Sequence, residues 1–418
     1  MRVVDTPELV AFRDECRAWL ADNVPRDARP PEGRAMRDFD LAWQCCQYEG
    51  GWAGVSWPRE YGGRGLSVLE QLIWHEEYAR AGGPPSGAMF VALSHAGPTL
   101  IARGSEAQKA RHLPAILKGE ENWCQGFSEP GAGSDLASLK CRAVIDGDHL
   151  VVAGTKIWTT YGNLATWQEL LVRTDPVKPR HKGLTWVICP MDAPGIDIRP
   201  IEAMSGLTHF AQVFYDEVRV PLTNVIGEID DGWGVAMATL GFERGTGTVV
   251  HQIQLANAVD RLVEAARETP SDDGSGRLID DGAVLAAYLV GIAVATRDAA
   301  VGHARQREQF GQPIGAFQAI KHQCADMAVR AAAAEAQVRY AAVSFGRSGD
   351  DRTQAAAAWL LATGAALANA KACIQIHGAM GFTAECDVHM FLKRAHVVAA
   401  LGSDRVPEDR RSLVSSSG

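Results

Sequence analysis

The order of secondary-structure signals along the chain is the feature that most limits its fold. Apolar residues recur at helical spacing over the first 120 residues, short β-rich runs follow from Trp123, and an alanine-rich helical pattern resumes at Gly234. Such segregated blocks are typical of an α+β protein. For 418 residues we therefore predict three domains: a helical one over 1–121, an antiparallel β-domain over 122–233 and a helical one over 234–418.

Local signals place several element boundaries. Thr6 before Pro7 predicts a helix N-cap. Ser105 and Gln108 have the spacing of a capping box. The sequence CRAVIDGDHLVVAG (141–154) predicts a hairpin around an Asp-Gly turn. The glycine-rich stretch GGWAGVSWPREYGGRG (50–65) predicts a loop.

Composition argues against several classes of function. The net charge is −9 and no block of basic residues occurs, which disfavours nucleic-acid and anionic-membrane surfaces. The chain contains no run of ~18 apolar residues, so no membrane span is predicted. Its N-terminus lacks the apolar core of a signal peptide. The nine cysteines show no CxxC spacing. We therefore expect a cytoplasmic protein with reduced thiols and neither a zinc site nor any other metal site.

Four motifs, in this order, resemble those of the acyl-CoA dehydrogenase family. They are FSEPGAGSD (127–135), KIWTTYG (156–162), REQFGQPIGAFQAIKHQCADM (307–327) and QIHGAMGFTAE (375–385). The resemblance spans nearly the whole chain. It implies a C-terminal four-helix bundle, FAD as cofactor, tetrameric assembly, and dehydrogenation of an acyl-CoA thioester with electrons passed to an electron-transfer flavoprotein.

The resemblance also implies a set of cofactor-binding residues. By motif they are Phe127, Ser128, Gly133, Ser134, Trp158, Thr160, Arg307, Gln309, Phe310, Gln375, Gly378 and Ala379. Glycine lets backbone approach a ligand closely, and the arginine fork suits phosphate. Taken singly, these patterns also describe a turn, a buried strand residue or a solvated helix end. In the family, the last two motifs reach FAD from a neighbouring subunit, so the site would require an oligomer.

The position of the catalytic base is the main departure from the common family pattern. Many members carry a glutamate where this chain has Gly402, which offers only a backbone N–H. A minority, including the isovaleryl-CoA type, carry it in the first bundle helix, and LGFERG fits with Leu240, Glu243 and Arg244. The resemblance thus implies Glu243 as base and Ser134, Arg244 and Gly402 as substrate contacts. A solvated Glu243–Arg244 pair and Glu385 as base are the alternatives.

A second departure concerns the substrate. His209 and Phe210 replace the small residues of many members. This variant resembles actinobacterial dehydrogenases of branched chains, sterol side chains or steroid-ring fragments, some of them heterotetramers. His209 by itself is typical of a hydrogen-bonded structural histidine. The sequence leaves open a homotetramer, a heterotetramer with a related chain, a half-competent subunit of such an assembly, and an oxidase of the same fold.

Overall fold

A computed structural model describes residues 6–243, 279–344 and 351–402. Within these residues the chain forms two compact units, which are described separately. The first contains 6–201 and 207–243, and the second contains 202–206 and the described residues from 279 onward. The domain bounds at 121 and 233 stay a prediction. The fold class is confirmed, because helices, a central sheet and further helices follow one another as expected.

The first unit begins with five helices. They are α1 (Pro7–Asn23), α2 (Gly33–Glu49), α3 (Val68–Arg80), α4 (Gly97–Arg103) and α5 (Glu106–Leu117), with a π-turn at Ala92–Ala96 just before α4. Both predicted N-termini are confirmed. Thr6 accepts a hydrogen bond from the N–H of Leu9, and Ser105 and Gln108 form the reciprocal bonds of a capping box.

An eight-stranded sheet follows the helices in the same unit. Its strands are β1 (Trp123–Gly126), β2 (Arg142–Asp146), β3 (His149–Thr160), β4 (Trp167–Arg173), β5 (Leu184–Pro190), β6 (Ile196–Ile201), β7 (Phe210–Pro221) and β8 (Val225–Ile226). The order is β6-β7-β3-β2-β4-β5-β8, with β1 beside β4. The β2–β3 hairpin is confirmed. The sheet is mixed, however, because β1 runs parallel to β4 and Arg142 of β2 pairs in parallel with Arg173.

Helix α6 (Gly232–Glu243) closes the described part of this unit. Val235, Ala236 and Thr239 are buried on it, and Glu243 is its only charged residue. The helix packs against β5, α4 and the π-turn. The buried hydroxyls of Thr99 and Thr239 lie 2.9 Å apart. The segment LGFE (240–243) is therefore the C-terminal end of a helix whose preceding turns are packed into the core.

The second unit is built from long helices. They are α7 (Ile279–Gln306), α8 (Gln318–Ser344), α9 (Asp351–His377) and α10 (Val388–Gly402), with a hairpin of β9 (Glu308–Gln309) and β10 (Gln312–Pro313) after α7. Small buried alanines let α7, α8 and α9 pack closely. The buried Asn369 amide donates to the carbonyls of Ala293 and Met327, so one side chain joins three helices.

Two stretches of this unit, Leu285–Gln306 and Thr353–Phe382, are long and apolar enough to cross a membrane by length and composition. Both contribute buried alanines to the helical core, such as Ala293 and Ala362. A core helix meets the same criteria, so length and composition do not identify these two stretches as membrane spans.

Candidate active site

In the first unit, the glycine-rich loop is fixed to the end of β3. The loop turns tightly, because Glu129 and Ala132 exchange both backbone hydrogen bonds. The N–H of Ile157 donates to the carbonyl of Ser128 at 2.9 Å. The motifs FSEPGAGSD and KIWTTYG, predicted to hold the flavin, therefore form one substructure.

A buried ion pair strengthens this junction. The Lys156 ammonium donates to the Glu129 carboxylate at 2.9 Å and to the Phe127 carbonyl at 3.0 Å. The same carboxylate accepts the backbone N–H groups of Lys140 and Cys141. Because Lys156 is fully buried and Glu129 nearly so, the pair holds both motifs in one geometry. Sequence reasoning missed it, although both residues stand inside the quoted motifs.

Trp158 has an unusual backbone at the edge of this substructure. Its φ is 63°, in the left-handed region that a bulky residue rarely adopts. The β3–β7 register shifts between Lys156 and Thr159, so Trp158 lies in a bulge. Its ring packs edge-on against Phe210, with centroids 6.3 Å apart. The pairing resumes at Thr159, and Thr160 lies opposite Phe210 in the register. Strained backbone of this kind concentrates at functional sites.

The remaining predicted residues of this loop differ in what they can offer a ligand. Phe127 is buried in the hydrophobic core, so its ring is packed away from solvent. Ser134 is exposed and Ser128 half-buried. A Cβ added to Gly131 or Gly133 would meet nothing within 4 Å, so open space adjoins this backbone.

In the second unit, Phe310 and Gly311 form the two-residue loop of the β9–β10 hairpin. Both have positive φ, 56° and 77°, as a type I′ turn requires. The Phe310 ring is 54% exposed and packs edge-on against Phe317. Arg307 and Gln309, half-buried, lie just before the turn. The turn thus exposes an aromatic ring, three residues along the chain from Arg307.

A stacked histidine pair brings the two predicted FAD segments of this unit together. His303 in α7 and His377 in α9 stack with centroids 4.2 Å apart and planes at 25°. The N–H of Arg307 donates to the carbonyl of His303. Gln375, Gly378 and Ala379, all exposed, adjoin His377 in the chain. Gly378 has a φ of 65°, which suits glycine. Neither histidine was predicted, because the stack depends on tertiary packing.

The candidate base and its neighbours are only partly described. The backbone of Glu243 ends α6, while its side chain and all of Arg244 lie outside the described residues. Gly402 ends α10. Glu385 is exposed in the second unit, after a 3-10 turn at Gly378–Phe382.

His209 differs from the expectation of a hydrogen-bonded structural histidine. Its carbonyl accepts the N–H of Tyr161, and its ring packs edge-on against the Tyr161 ring. The ring atom Nδ1, however, is buried without a hydrogen-bond partner in the described part of the chain.

Comparison with known proteins identifies the family. The N-terminal, middle and C-terminal domain models of acyl-CoA dehydrogenase match residues 6–120, 124–218 and 281–402. The acyl-CoA dehydrogenase IpdE1 of Mycobacterium tuberculosis is 44% identical over 63% of this chain and 70% of its own length. The chain therefore belongs to the acyl-CoA dehydrogenase family of oxidoreductases, whose members are flavoproteins.

Two solved structures resemble the chain over almost its full length. The Tcur3481-Tcur3483 steroid ACAD is 28% identical with a TM-score of 0.53, and 97% of each chain is covered. The ChsE4-ChsE5 complex from Mycobacterium tuberculosis is 25% identical with a TM-score of 0.52, again over 97% of each chain. Both are similar to this chain in fold.

In each unit, the predicted residues have the chemistry to bind part of a flavin dinucleotide. Trp158 and Phe310 supply flat apolar faces, and Phe310 is exposed on a turn that holds it outward. Arg307 supplies a guanidinium suited to phosphate, while the exposed Ser134 and Gln375 supply hydroxyl and amide groups. Open space beside Gly131 and Gly133 leaves room for a ligand against the backbone.

Proposed function

We propose that this protein catalyses the FAD-dependent α,β-dehydrogenation of a branched or bulky acyl-CoA thioester in the cytoplasm, with Glu243 as the base that removes the Cα proton. The observation that carries the assignment is the placement of Glu243. It is the only charged residue of α6, one turn beyond Thr239, which is buried against Thr99. At the alternative family position this chain has Gly402.

The chemistry divides between the base and the groups that polarise the thioester. Bound FAD supplies the hydride acceptor at N5. Glu243 takes the proton from Cα, which requires a carboxylate within hydrogen-bond reach of the substrate. Because an unactivated Cα–H is a very weak acid, donors must stabilise the charge that develops on the thioester oxygen. The backbone N–H of Gly402 is our candidate donor, and Arg244 orders the substrate region.

Each predicted segment has a separate task in holding the cofactor. Phe127, Ser128, Gly133, Trp158 and Thr160 contact the flavin ring region through backbone and ring faces. Ser134 contacts both phosphate and substrate. The pyrophosphate and adenine are bound by residues of a neighbouring subunit, namely Arg307, Gln309, Phe310, Gln375, Gly378 and Ala379. The strained Trp158 and the outward-facing Phe310 support this division.

The bulky-substrate proposal rests on the residues around Trp158. Phe210 packs edge-on against Trp158, and His209 packs against Tyr161. His209 and Phe210 stand where many family members carry small residues. One structural relative is a steroid ACAD, which supports a ring-bearing acyl group.

Assembly and electron transfer follow from the same proposal. Helix α8 exposes Val329, Tyr340 and Val343, each by more than half. An apolar stripe of this kind favours contact with another subunit, in a homotetramer or in a heterotetramer with a related chain. The structure of the ChsE4-ChsE5 complex contains two different proteins, which supports the second arrangement. We propose an electron-transfer flavoprotein as acceptor.

Glu243→Gln tests the base directly. The variant should keep its FAD, while anaerobic bleaching of the flavin by substrate slows by roughly 10²- to 10⁴-fold, the usual contribution of a positioned base. Glu385→Gln is the matched control, because it removes the rival carboxylate. It should bleach at the wild-type rate. Wild-type bleaching in Glu243→Gln, or its loss in Glu385→Gln, would reject the assignment.

The second candidate function is that of a half-competent subunit in a heteromeric acyl-CoA dehydrogenase. Gly402 favours it if Glu243 does not reach the substrate, because the chain then has no base at either family position. Mixing the chain with a related partner chain separates the candidates. Bleaching that appears only after mixing, and survives Glu243→Gln, would establish the partner as the source of the base. Rapid reoxidation of the reduced flavin by air, in turn, would identify an oxidase instead of a dehydrogenase.

A further inference from the structure

A cavity of about 190 Å³ lies among the N-terminal helices of the first unit. Its walls come from α2, α3, the segment 84–94 and the glycine-rich loop 50–65. None of the predicted flavin-binding residues lines it. For comparison, an engineered apolar cavity of about 150 Å³ in another protein takes up benzene. The volume therefore suits a molecule with one ring or two fused rings.

Six aromatic side chains line the cavity, and several of them are fixed in place by contacts with one another. Trp52 and Trp74 stack with centroids 4.3 Å apart and planes at 9°. The indole N–H of Trp43 donates to the Tyr78 hydroxyl, which donates to the carbonyl of Pro84. Because these groups already hold one another, the walls need no rearrangement to accept a flat ligand.

Trp57 is locked even more tightly, on the side of the cavity nearest the π-turn. Its indole N–H donates to the carbonyl of Leu93 at 3.0 Å. A Cβ on Gly97 would come within 1.9 Å of the Trp57 ring, so only glycine permits this contact. These contacts of Trp57 fix the glycine-rich loop in place as one wall of the cavity.

Polar groups with unused hydrogen-bonding capacity also line the cavity. The side-chain amide of Gln44 donates to the carbonyl of Leu117, and that of Gln71 donates to the carbonyl of Leu66. No bond to either side-chain oxygen is found within the described ranges, nor any to the ring nitrogens of His75, which also lines the cavity. The site thus combines flat faces with hydrogen-bonding groups, as small-molecule sites do.

The cavity carries no uncompensated charge at neutral pH. The Asp40 carboxylate on its wall is paired with Arg29 through two short bonds and accepts the N–H of Ala88. Burial lowers the pKa of His75 to about 4, so its imidazole is neutral at pH 7. A charged ligand would enter without a counter-ion, which is costly.

We propose that this cavity is a binding site for a small, uncharged ring compound bearing at least one hydrogen-bonding group, separate from the acyl-CoA and flavin site. The ring packs against the tryptophan faces that line the cavity. Its polar group accepts a hydrogen bond from the His75 imidazole N–H and, where it carries a proton, donates that proton to the side-chain oxygen of Gln44 or Gln71. The proposal does not depend on the acyl-CoA dehydrogenase reaction, so either can fail alone.

Calorimetric titration of the full chain with phenol and with toluene tests the proposal. The two probes have nearly the same shape, and only phenol has a hydroxyl. Phenol should bind with one molecule per chain, and toluene roughly 2- to 10-fold more weakly, as expected for one net hydrogen bond. His75→Leu should lower phenol affinity to that of toluene. The control His322→Leu, exposed on α8, should change neither.

Three further measurements can overturn the proposal. Ser94→Phe adds a ring to the cavity wall from the π-turn and should abolish binding of both probes while the circular dichroism spectrum stays unchanged. Phenol bound at full affinity in both Ser94→Phe and His75→Leu would refute the site. Displacement of phenol by an acyl-CoA would show an acyl pocket instead. Tighter binding of tetramethylammonium than of phenol would refute the uncharged ligand class.

Discussion

At the scale of single residues, the Glu129–Lys156 pair joins the two motifs of the candidate site, a role that the sequence did not indicate. Its two members come from different motifs, 27 residues apart. Their side chains meet because the loop after β1 lies against β3, where the N–H of Ile157 donates to the carbonyl of Ser128. The motifs themselves could be recognised from sequence. The contact between them could not, since spacing along the chain does not report distance in the fold.

Lys156→Met should destabilise the first unit strongly. It leaves the buried Glu129 carboxylate with only the N–H groups of Lys140 and Cys141. Breaking a buried pair in this way costs about 3–5 kcal/mol. Urea unfolding followed by tryptophan fluorescence measures the loss. Arg142→Met is the control, because the Arg142–Glu217 pair is 65% and 61% exposed and is expected to contribute at most ~1 kcal/mol. Equal losses in the two variants would contradict this view of the pair.

His75 should make the stability of the first unit depend on pH. Burial lowers its pKa from 6.5 to about 4, so between these values the unfolded chain binds more protons than the folded one. The free energy of unfolding should therefore fall as the pH drops from 6.5 to 4, by up to about 3 kcal/mol from this group. His75→Leu should remove that part of the slope. His322→Leu should not, and identical slopes in wild type and His75→Leu would contradict the pKa shift.

At the scale of elements, the sequence predicted ends and hairpins better than long-range pairing. The caps at Thr6 and Ser105 and the β2–β3 hairpin depend on neighbouring residues. The parallel pairing of Trp123 with Trp167 does not, because the partners are far apart in the chain. The left-handed φ of Trp158 was also unpredictable. Glycine is the usual signal for that conformation, and here a tryptophan adopts it within a bulge.

The turn after α7 gives a prediction for the cofactor. Arg307→Ala should weaken FAD binding by roughly 10- to 100-fold, because a charge-assisted hydrogen bond to phosphate is lost. The ratio of flavin to protein absorbance after desalting measures it. Arg305→Ala is the matched control, since Arg305 is exposed two residues earlier in the same helix end. Full flavin content in Arg307→Ala, or equal loss in both variants, would contradict the role given to this motif.

At the scale of the whole molecule, the family and its fold class could be predicted because four motifs occur in order along one chain. Comparison with known proteins confirms both. The acyl group and the subunit composition could not be predicted, since they depend on cavities and surfaces formed by distant residues. The aromatic cavity illustrates this limit. The glycine-rich stretch 50–65 predicted only a loop, yet Trp52 and Trp57 within it form walls of the cavity.

The most direct test of the central proposal is the visible spectrum of this chain purified alone, before and after anaerobic addition of straight-chain, branched and ring-bearing acyl-CoA thioesters. We predict flavin bands near one FAD per chain that bleach on addition of a branched or ring-bearing thioester. A colourless protein would contradict this prediction and would leave the heterotetramer with a related chain as the assembly. A fully loaded protein that no thioester bleaches would contradict the dehydrogenase reaction itself.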